Sequence, residues 1–217
     1  MTRSTSKLKG RFITFEGSDG AGKTTQINQL HARLKEAGVA CYLTREPGGT
    51  AIAERIRDLV LLNNDPRTAI TELLLIFAAR AEHTSEVILP SLKSGQWVLC
   101  DRYTDASYAY QGGGSGVPEE LIAKVESVAT GGLKPDLTIL LDIETEEGAL
   151  RLDGRASSPD RFEAEAADFK RRVREAYLKR QANEPNRIHR INALGTVESI
   201  GGRIFELVKP LLAESYA

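Results

Sequence analysis

The chain has 217 residues, of which 41% are hydrophobic and 27% charged, and its formal net charge is −1. This length and composition are typical of one globular domain with a substantial core. The balanced charge argues against a general nucleic-acid binder, and no apolar run reaches the ~20 residues of a membrane span. We therefore expect neither a nucleic-acid nor a membrane partner.

The chain ends and the cysteines indicate organisation and compartment. Residues 1–10 are basic but have no apolar core, so we predict a disordered tail rather than a secretory signal. We predict that residues 11–217 form a single domain. Cys41 and Cys100 each lie in an apolar run, which favours two buried thiols in a reducing cytoplasm over a disulfide framework.

Strand and helix patterns alternate along the chain. We predict strands at 11–16, 40–44, 97–100, 137–142 and 187–191, and helices at 22–37, 51–61, 69–94, 106–111, 118–130, 146–152, 161–183 and 197–212. The alternation predicts an α/β fold with a parallel sheet covered on both faces. Ligands of such sheets bind beyond the carboxyl ends of the strands. The irregular stretch 152–160 is typical of a lid.

A phosphate-loop pattern, G-x-x-x-x-G-K-[ST], follows the first predicted strand at Gly17, Ser18, Asp19, Gly20, Ala21, Gly22, Lys23 and Thr24. Glycines allow the backbone to turn tightly and to direct N–H groups at an anion. The helix that begins at the loop adds a partial positive charge. Lys23 would bind the β- and γ-phosphates of a nucleotide, and the Thr24 hydroxyl would bind Mg²⁺.

Two other strand ends carry charged residues at the same rim. Asp101 ends a strand and is the expected second anchor for Mg²⁺. Arg102 stands where ATP-driven motors usually have a water-activating Glu, and an Arg there suits a phosphate acceptor; the alternative is a surface ion pair. Arg45 opens a turn containing Pro47 and would reach a second phosphate, or else is a solvated side chain.

Aromatic and arginine residues further along provide candidate base and lid groups. Phe77 precedes Arg80 by three residues on one helix face, where a ring and a guanidinium would recognise a base, unless Phe77 belongs to the core. The aromatic segment 103–112 would contact a sugar and a base, or simply pack. Arginines flank or occupy the predicted lid and would stabilise a transferring phosphoryl group: Arg151, Arg155 and Arg161.

Taken together, the segments 15–26, 44–50, 77–83, 101–112 and 160–163 resemble the thymidylate kinase family, which phosphorylates dTMP with ATP for dTTP synthesis. The resemblance spans roughly residues 10–212. It implies a P-loop kinase fold with a five-stranded parallel sheet in the order 2-3-1-4-5, flanked by helices, with a short lid around 151–162. It also implies a cytoplasmic homodimer formed through helices.

The resemblance assigns roles by position. The phosphate loop through Thr25 would bind ATP with Mg²⁺ at Thr24 and Asp101, while Lys23 and Arg155 would stabilise the transferring phosphoryl group. For dTMP it implies Asp19 near the 3′-hydroxyl, Arg45 and Arg102 at the phosphate, Phe77 stacked on thymine, Arg80 and Gln111 at the base edge, Ser107 near the 5-methyl group, and Tyr110 against a ribose 2′-hydroxyl. The resemblance thus implies that the catalytic residues are Asp19, Lys23, Arg102 and Arg155.

Two positions depart from the family pattern. Many members place the stacking aromatic four residues before the helix Arg, where this chain has Ile76. Asn192 also stands where Asp is common in the family.

Gly20, in contrast, matches the bacterial subtype of the family that carries its arginines in the lid.

Three other functions remain as alternatives at this point. The nearest is a kinase for another nucleoside monophosphate or for a deoxynucleoside. A GTPase-type switch usually reads guanine through an N-K-x-D segment, which the sequence lacks. An ATP-driven motor is disfavoured by Arg102.

Overall fold

A parallel sheet of five strands forms the centre of the molecule. The computed structural model describes residues 9–62, 65–153, 161–162 and 165–215. The strand order is β2-β3-β1-β4-β5, as the family resemblance implies, and each strand lies within one residue of its predicted bounds. The strands are β1 (Phe12–Glu16), β2 (Cys41–Arg45), β3 (Trp97–Asp101), β4 (Leu137–Asp142) and β5 (Ile188–Asn192).

Helices connect the strands and flank the sheet. They are α1 (Lys23–Glu36), α2 (Ala51–Leu61), α3 (Ala69–His83), α4 (Leu89–Lys93), α5 (Thr104–Ser107), α6 (Glu119–Thr130), α7 (Thr145–Asp153), α8 (Ala167–Asn183) and α9 (Val197–Ser215). Two π-helical segments continue α3 and α5, at Thr84–Ile88 and Tyr108–Gly114. In the described ranges, no helix is both long enough and apolar enough to cross a bilayer.

The long helix predicted at 69–94 is divided by the first π-helical segment. The Leu89 N–H bonds the carbonyl of Thr84, five residues earlier. Pro90 follows directly and has no N–H to donate back to residue 86, and its ring crowds the preceding turn. The wider π turn accommodates the proline without ending the helical path.

Helix α8 begins at Ala167, so the predicted start at Arg161 is wrong. Arg161 and Phe162 form a turn instead. The Phe162 ring lies edge-on to Tyr110, with ring centroids 5.3 Å apart, and the Arg161 side chain pairs with Glu72. These tertiary contacts outweigh the local helical preference of this segment.

The three inner strands of the sheet, β1, β3 and β4, are buried on both faces, as the sequence predicts. On one face Ile13 and Phe15 belong to a core that includes Leu30 of α1 and Ile204 of α9. The other face packs against the α3–α4 path and α8, and its buried side chains include Phe12, Ile88, Val98, Leu140, Val173 and Tyr177.

The register of the strands brings their carboxyl ends together. Phe15 pairs with Asp101 across β1 and β3, and Arg45 pairs with Asp101 across β2 and β3. The phosphate loop, Arg45 and Arg102 therefore leave the sheet at one edge. The predicted lid segment 154–160, with Arg155, and residues 1–8 of the predicted tail lie outside the described residues.

Candidate active site

The phosphate loop joins β1 to α1 and turns through three glycines with positive φ, Gly17 (132°), Gly20 (81°) and Gly22 (86°). Lys23 is the first residue of α1, and its Nζ donates to the carbonyl oxygens of Gly17 at 3.0 Å and Ser18 at 3.1 Å. The first turn of α1 has no acidic residue and no side-chain cap. Its N–H groups and Lys23 therefore present positive charge at this end of the site.

The predicted magnesium ligands lie together. The Thr24 hydroxyl donates to Oδ2 of Asp101 at 3.4 Å. Among the described residues, Oδ1 of Asp101 is buried without a hydrogen-bond partner, an arrangement that costs free energy unless a ligand satisfies the oxygen. A hydroxyl beside an unsatisfied carboxylate oxygen fits a hard cation such as Mg²⁺.

This site would hold a cation only with help from the substrate. In the part of the chain that the structure describes, no group of three or more His, Cys, Asp or Glu side chains is arranged to bind a metal. Mg²⁺ usually retains several waters and binds through one or two protein ligands together with phosphate oxygens. Thr24 and Asp101 are consistent with that mode of binding.

Arg102 is fixed against the phosphate loop. Its φ is 69°, a left-handed conformation that costs a non-glycine residue roughly 1–2 kcal/mol. Its Nη1 donates to the Gly17 carbonyl at 3.0 Å and to the Tyr177 hydroxyl at 3.1 Å. Its Nη2 donates to Oδ1 of Asp19 and, at 2.9 Å, to the Tyr110 hydroxyl. That hydroxyl donates in turn to Oδ2 of Asp19 at 3.0 Å.

Charges within this cluster compensate one another. Burial alone would raise the pKa of Asp19, but Arg102 and Lys23 outweigh it and hold that pKa below its usual value. Burial, and then Arg102, lowers the pKa of Lys23. Burial also acts against the charge of Arg102, but Tyr110 and Asp19 keep its pKa well above the usual value. Asp19 is therefore an ionised carboxylate beside a guanidinium at neutral pH.

Two residues that the sequence analysis missed, Glu16 and Tyr177, extend the hydrogen-bond network around Arg102. Glu16 ends β1, is fully buried, and accepts hydrogen bonds from the Tyr103 N–H and the Tyr177 hydroxyl, both at 2.7 Å. Burial, and secondly the carboxylate of Asp105, raises the pKa of Glu16 to about 7. Tyr177 lies on α8, so no local pattern connects it to the phosphate loop; only the fold does.

Arg80 and Ser107 meet at the other end of the site. The Arg80 side chain is 2% exposed. Its Nε donates to Glu46 at 2.6 Å, its Nη1 to the Ser107 hydroxyl at 2.9 Å, and its Nη2 to the Tyr103 carbonyl at 2.9 Å. A guanidinium has five N–H donors, so one donor on each terminal nitrogen remains for a ligand. Glu46 also pairs with Nδ1 of His83 at 2.9 Å.

Helix α3 turns Ile76, not Phe77, toward the site. Ile76 lines the cleft, whereas Phe77 is 2% exposed and packs with Tyr108 and Ile122 in a separate cluster. The structure therefore does not bring Phe77 into the cleft, where the sequence analysis expected it to form the base platform. Successive helical residues point about 100° apart, and Phe77 instead supports Arg80, whose guanidinium carbon lies 4.5 Å from the ring centroid.

Two further arginines lie at the rim of the cleft. The Arg45 side chain is half exposed and bonds the Glu54 carboxylate through both terminal nitrogens, at 3.2 and 2.9 Å. Nη1 of Arg57, on α2, donates to the Pro47 carbonyl at 2.8 Å. The helical segment that contains Arg57 was predicted, but no sequence pattern placed this side chain in the cleft.

These groups share one cleft of about 250 Å³. It brings together predicted site residues from five parts of the chain: Asp19, Gly20, Gly22, Lys23, Thr24, Thr25, Arg45, Arg80, Asp101, Arg102, Ser107, Tyr110 and Gln111. Gly17 and Ser18 lie beside it through their contacts with Lys23, and Ala21 is buried in the core. The cleft also has lining residues that the sequence analysis did not assign: Glu46, Pro47, Arg57, Leu61, Ala106 and Phe162.

This chain is similar to known proteins in both sequence and fold. Residues 15–204 match the family described as thymidylate kinase. The thymidylate kinase of Pseudomonas putida is 50% identical over 194 residues, covering 89% of this chain and 92% of the relative, and that of Chromobacterium violaceum is 49% identical over 207 residues, covering 94% and 96%. The crystal structure of thymidylate kinase from Ehrlichia chaffeensis superposes with a TM-score of 0.77 at 32% identity, covering 92% and 98% of the two chains. The match includes both ends of the cleft, and this chain belongs to the thymidylate kinase family.

Proposed function

We propose that this protein transfers the γ-phosphoryl group of ATP to dTMP, giving dTDP and ADP. The observation that carries the proposal is the single cleft in which the phosphate loop and a buried donor set around Arg80 face the same space. One end suits a nucleoside triphosphate and the other suits a base with its own phosphate nearby. Membership of the thymidylate kinase family supports both substrates.

The protein contributes positioning and charge rather than covalent chemistry. Phosphoryl transfer requires two polyanions to be held in line while the charge between them is neutralised. In our proposal Lys23 and the loop N–H groups hold the phosphates of ATP, and Arg45 and Arg102 hold the phosphate of dTMP. Asp19 keeps Arg102 in place and lies near the sugar hydroxyl. The hydrogen bonds of Arg102 support this assignment.

Thr24 and Asp101 would hold Mg²⁺ between them. When bound, Mg²⁺ supplies charge neutralisation on the phosphate oxygens of ATP. The unpartnered Oδ1 of Asp101 supports this site.

The opposite end of the cleft suits a deoxynucleotide base and sugar. We assign Arg80, Ser107 and Gln111 to the base, and Ile76 in place of Phe77 to the wall beneath it. Tyr110 is held by Asp19 and Arg102, so its ring cannot easily yield to a ribose 2′-hydroxyl. This rigidity supports a preference for deoxyribose.

We further propose a single kinase domain over 11–217 that acts as a homodimer in the cytoplasm, with a lid around 151–162 whose Arg155 reaches the transferring phosphoryl group. Gly20 supports the lid-arginine subtype, because a Cβ there would lie 2.3 Å from the carbonyl oxygen of Gly148. An apolar outer surface on the packed pair α2 and α3 supports the homodimer; its exposed side chains are Ile52, Leu59, Leu62, Ile70 and Leu74.

A substrate panel tests the activity. Purified protein with MgATP should release ADP in proportion to added dTMP, and anion-exchange chromatography should recover dTDP in equal amount. Ribonucleotides and other deoxynucleoside monophosphates should react far more slowly. ADP release that is independent of dTMP and leaves no dTDP would contradict the proposal and favour a nucleotide switch or motor.

A further inference from the structure

A buried carboxylate holds the side chain of Gln111. Gln111 lies on the π-helical segment Tyr108–Gly114 and lines the cleft. Its Nε2 donates to Oε1 of Glu72 at 3.1 Å. The two residues are 3% and 2% exposed, so solvent does not compete for this bond. Glu72 itself is not among the residues that line the cleft.

The second oxygen of Glu72 is also occupied. Nη1 of Arg161 donates to Oε2 of Glu72, and the two side chains form an ion pair. An ionised carboxylate has acceptors only. Gln111 must therefore turn its NH₂ group toward Glu72 and its carbonyl oxygen the other way. Within the described ranges no donor bonds that oxygen, which leaves it available to a ligand in the cleft.

The base end of the cleft thus presents a defined order of donors and acceptors. Arg80 retains one N–H on each terminal nitrogen, and Gln111 offers an oxygen. This set complements a base edge on which a carbonyl stands beside an N–H, as in thymine and uracil. Cytosine has an amine beside an unprotonated ring nitrogen, so its donor would face Arg80 and its acceptor would face the Gln111 oxygen. Buried polar groups that are left unpaired in this way discriminate strongly between ligands.

We infer that Glu72 is a specificity-determining positioning residue, which fixes the Gln111 amide so that the cleft accepts pyrimidine nucleotides with an N3–H and rejects those with a 4-amino group. The inference rests on the proposed function, because it concerns the base of the phosphoryl acceptor. Glu72 acts through Gln111 and does not touch the nucleotide.

The isosteric change E72Q tests this role. Arg161 would bond the oxygen of Gln at position 72, whose NH₂ would then face Gln111 and turn the Gln111 amide around. The readout is the ratio of kcat/KM for dUMP to that for dCMP, two acceptors that differ only on this edge of the base. We expect the ratio to fall at least about tenfold, as when a hydrogen-bonding pocket loses its match. The control E86Q, an exposed glutamate on the same helical path, should leave the ratio unchanged.

Two additional variants separate positioning from general damage. In a Q111L background the E72Q change should no longer alter the ratio, because the amide that it turns is absent. E72Q/R161Q removes both charges of the ion pair, so it serves if E72Q alone unfolds, and it too should reduce the ratio. A ratio that stays at its wild-type value in folded E72Q or E72Q/R161Q overturns the inference, as does an equal effect of E72Q with and without Gln111. Failure of the proposed function is a separate result, since wild-type protein would then not phosphorylate dTMP.

Discussion

Arg102 shows how one residue can be strained and still well placed. Its left-handed backbone is unfavourable, but the side chain is held by the phosphate loop, Asp19, Tyr110 and Tyr177. Strained backbones persist where the surroundings determine them strongly, and they are common at active sites. In Arg102 the left-handed backbone accompanies a guanidinium that bonds Gly17 and Asp19 of the phosphate loop.

Among the residues that the structure describes, the Tyr177 hydroxyl is the hydrogen-bond partner of Arg102 that comes from α8. Y177F removes this hydroxyl without removing the ring. We expect kcat/KM for dTMP to fall about tenfold, because Arg102 loses a bond and Glu16 loses a donor, each worth roughly 1 kcal/mol. The measurement is steady-state kinetics with dTMP varied at saturating ATP. The matched control is Y108F, whose lost hydroxyl bonds Glu126 rather than Arg102. If the two variants have equal kcat/KM for dTMP, Tyr177 does not position Arg102.

Single residues were predictable from the sequence where a local pattern contains them. Lys23 and Thr24 belong to the phosphate-loop pattern, and Asp101 and Arg102 follow a strand. Glu16, Tyr177 and Glu72 carry no such mark, because their roles depend on partners that are distant in the sequence: Tyr177 and Glu16 are 161 positions apart. Buried polar side chains need partners, but the sequence does not say which ones.

At the scale of elements, α3 contributes side chains both to the cleft and to a separate buried cluster. One face carries Ile76 and Arg80 toward the cleft, and Phe77 turns into the core beside Tyr108. The spacing of the aromatic and Arg80 was visible in the sequence. The rotation of the helix was not, because it is set by packing against α2 and α6, and both Ile76 and Phe77 are apolar.

Substitutions at Phe77 and Ile76 should therefore affect different properties of the protein, stability in the first case and dTMP binding in the second. F77A should destabilise the protein by roughly 3–5 kcal/mol through loss of a buried ring and should affect dTMP binding only through Arg80. I76A should cost less stability and should chiefly raise KM for dTMP. Thermal unfolding and dTMP titration kinetics measure the two effects. If F77A raises KM for dTMP more than I76A does in folded protein, Phe77 and not Ile76 contacts the base.

The regular elements followed from hydrophobic pattern, whereas their irregularities did not. The three inner strands, β1, β3 and β4, are buried on both faces and appear as short apolar runs, which is why their bounds were accurate. The π-helical segment Tyr108–Gly114 and the late start of α8 both involve tertiary contacts of Phe162, whose ring packs against Tyr110. One of these irregular segments carries Tyr110 and Gln111, so the least predictable backbone contributes to the base end of the site.

At the scale of the whole molecule, ionisable groups lie inside the fold between β1, β3 and α8. Glu16 and Asp105 are both at most 1% exposed. Asp105 is paired with Arg180 and Arg187, whereas Glu16 is hydrogen-bonded mainly by neutral groups. Stability must therefore depend on pH through Glu16, because its proton is held more tightly in the folded state than in the unfolded chain.

The expected pH dependence follows from the direction of the shift. The pKa of Glu16 is raised from 4.5 to about 7, so its protonated form stabilises the fold, and this contribution is complete below pH 4.5 and is lost as pH rises through 7. The loss amounts to roughly 3 kcal/mol at one pKa unit per 1.36 kcal/mol. E16Q stays neutral at every pH. We expect wild type to lose stability relative to E16Q between pH 5 and 8.

Urea unfolding of both proteins at pH 5, 6, 7 and 8 measures this difference. All other ionisable groups are common to the two proteins and cancel in the comparison. A constant difference in unfolding free energy between the two proteins is not informative, because Gln at position 16 changes hydrogen bonds at all pH values. Only a change of that difference with pH reports the ionisation of the Glu16 carboxyl. If the two curves of unfolding free energy against pH run parallel, Glu16 is already ionised at pH 5 in the folded state, and the link between its burial and the stability of the molecule fails.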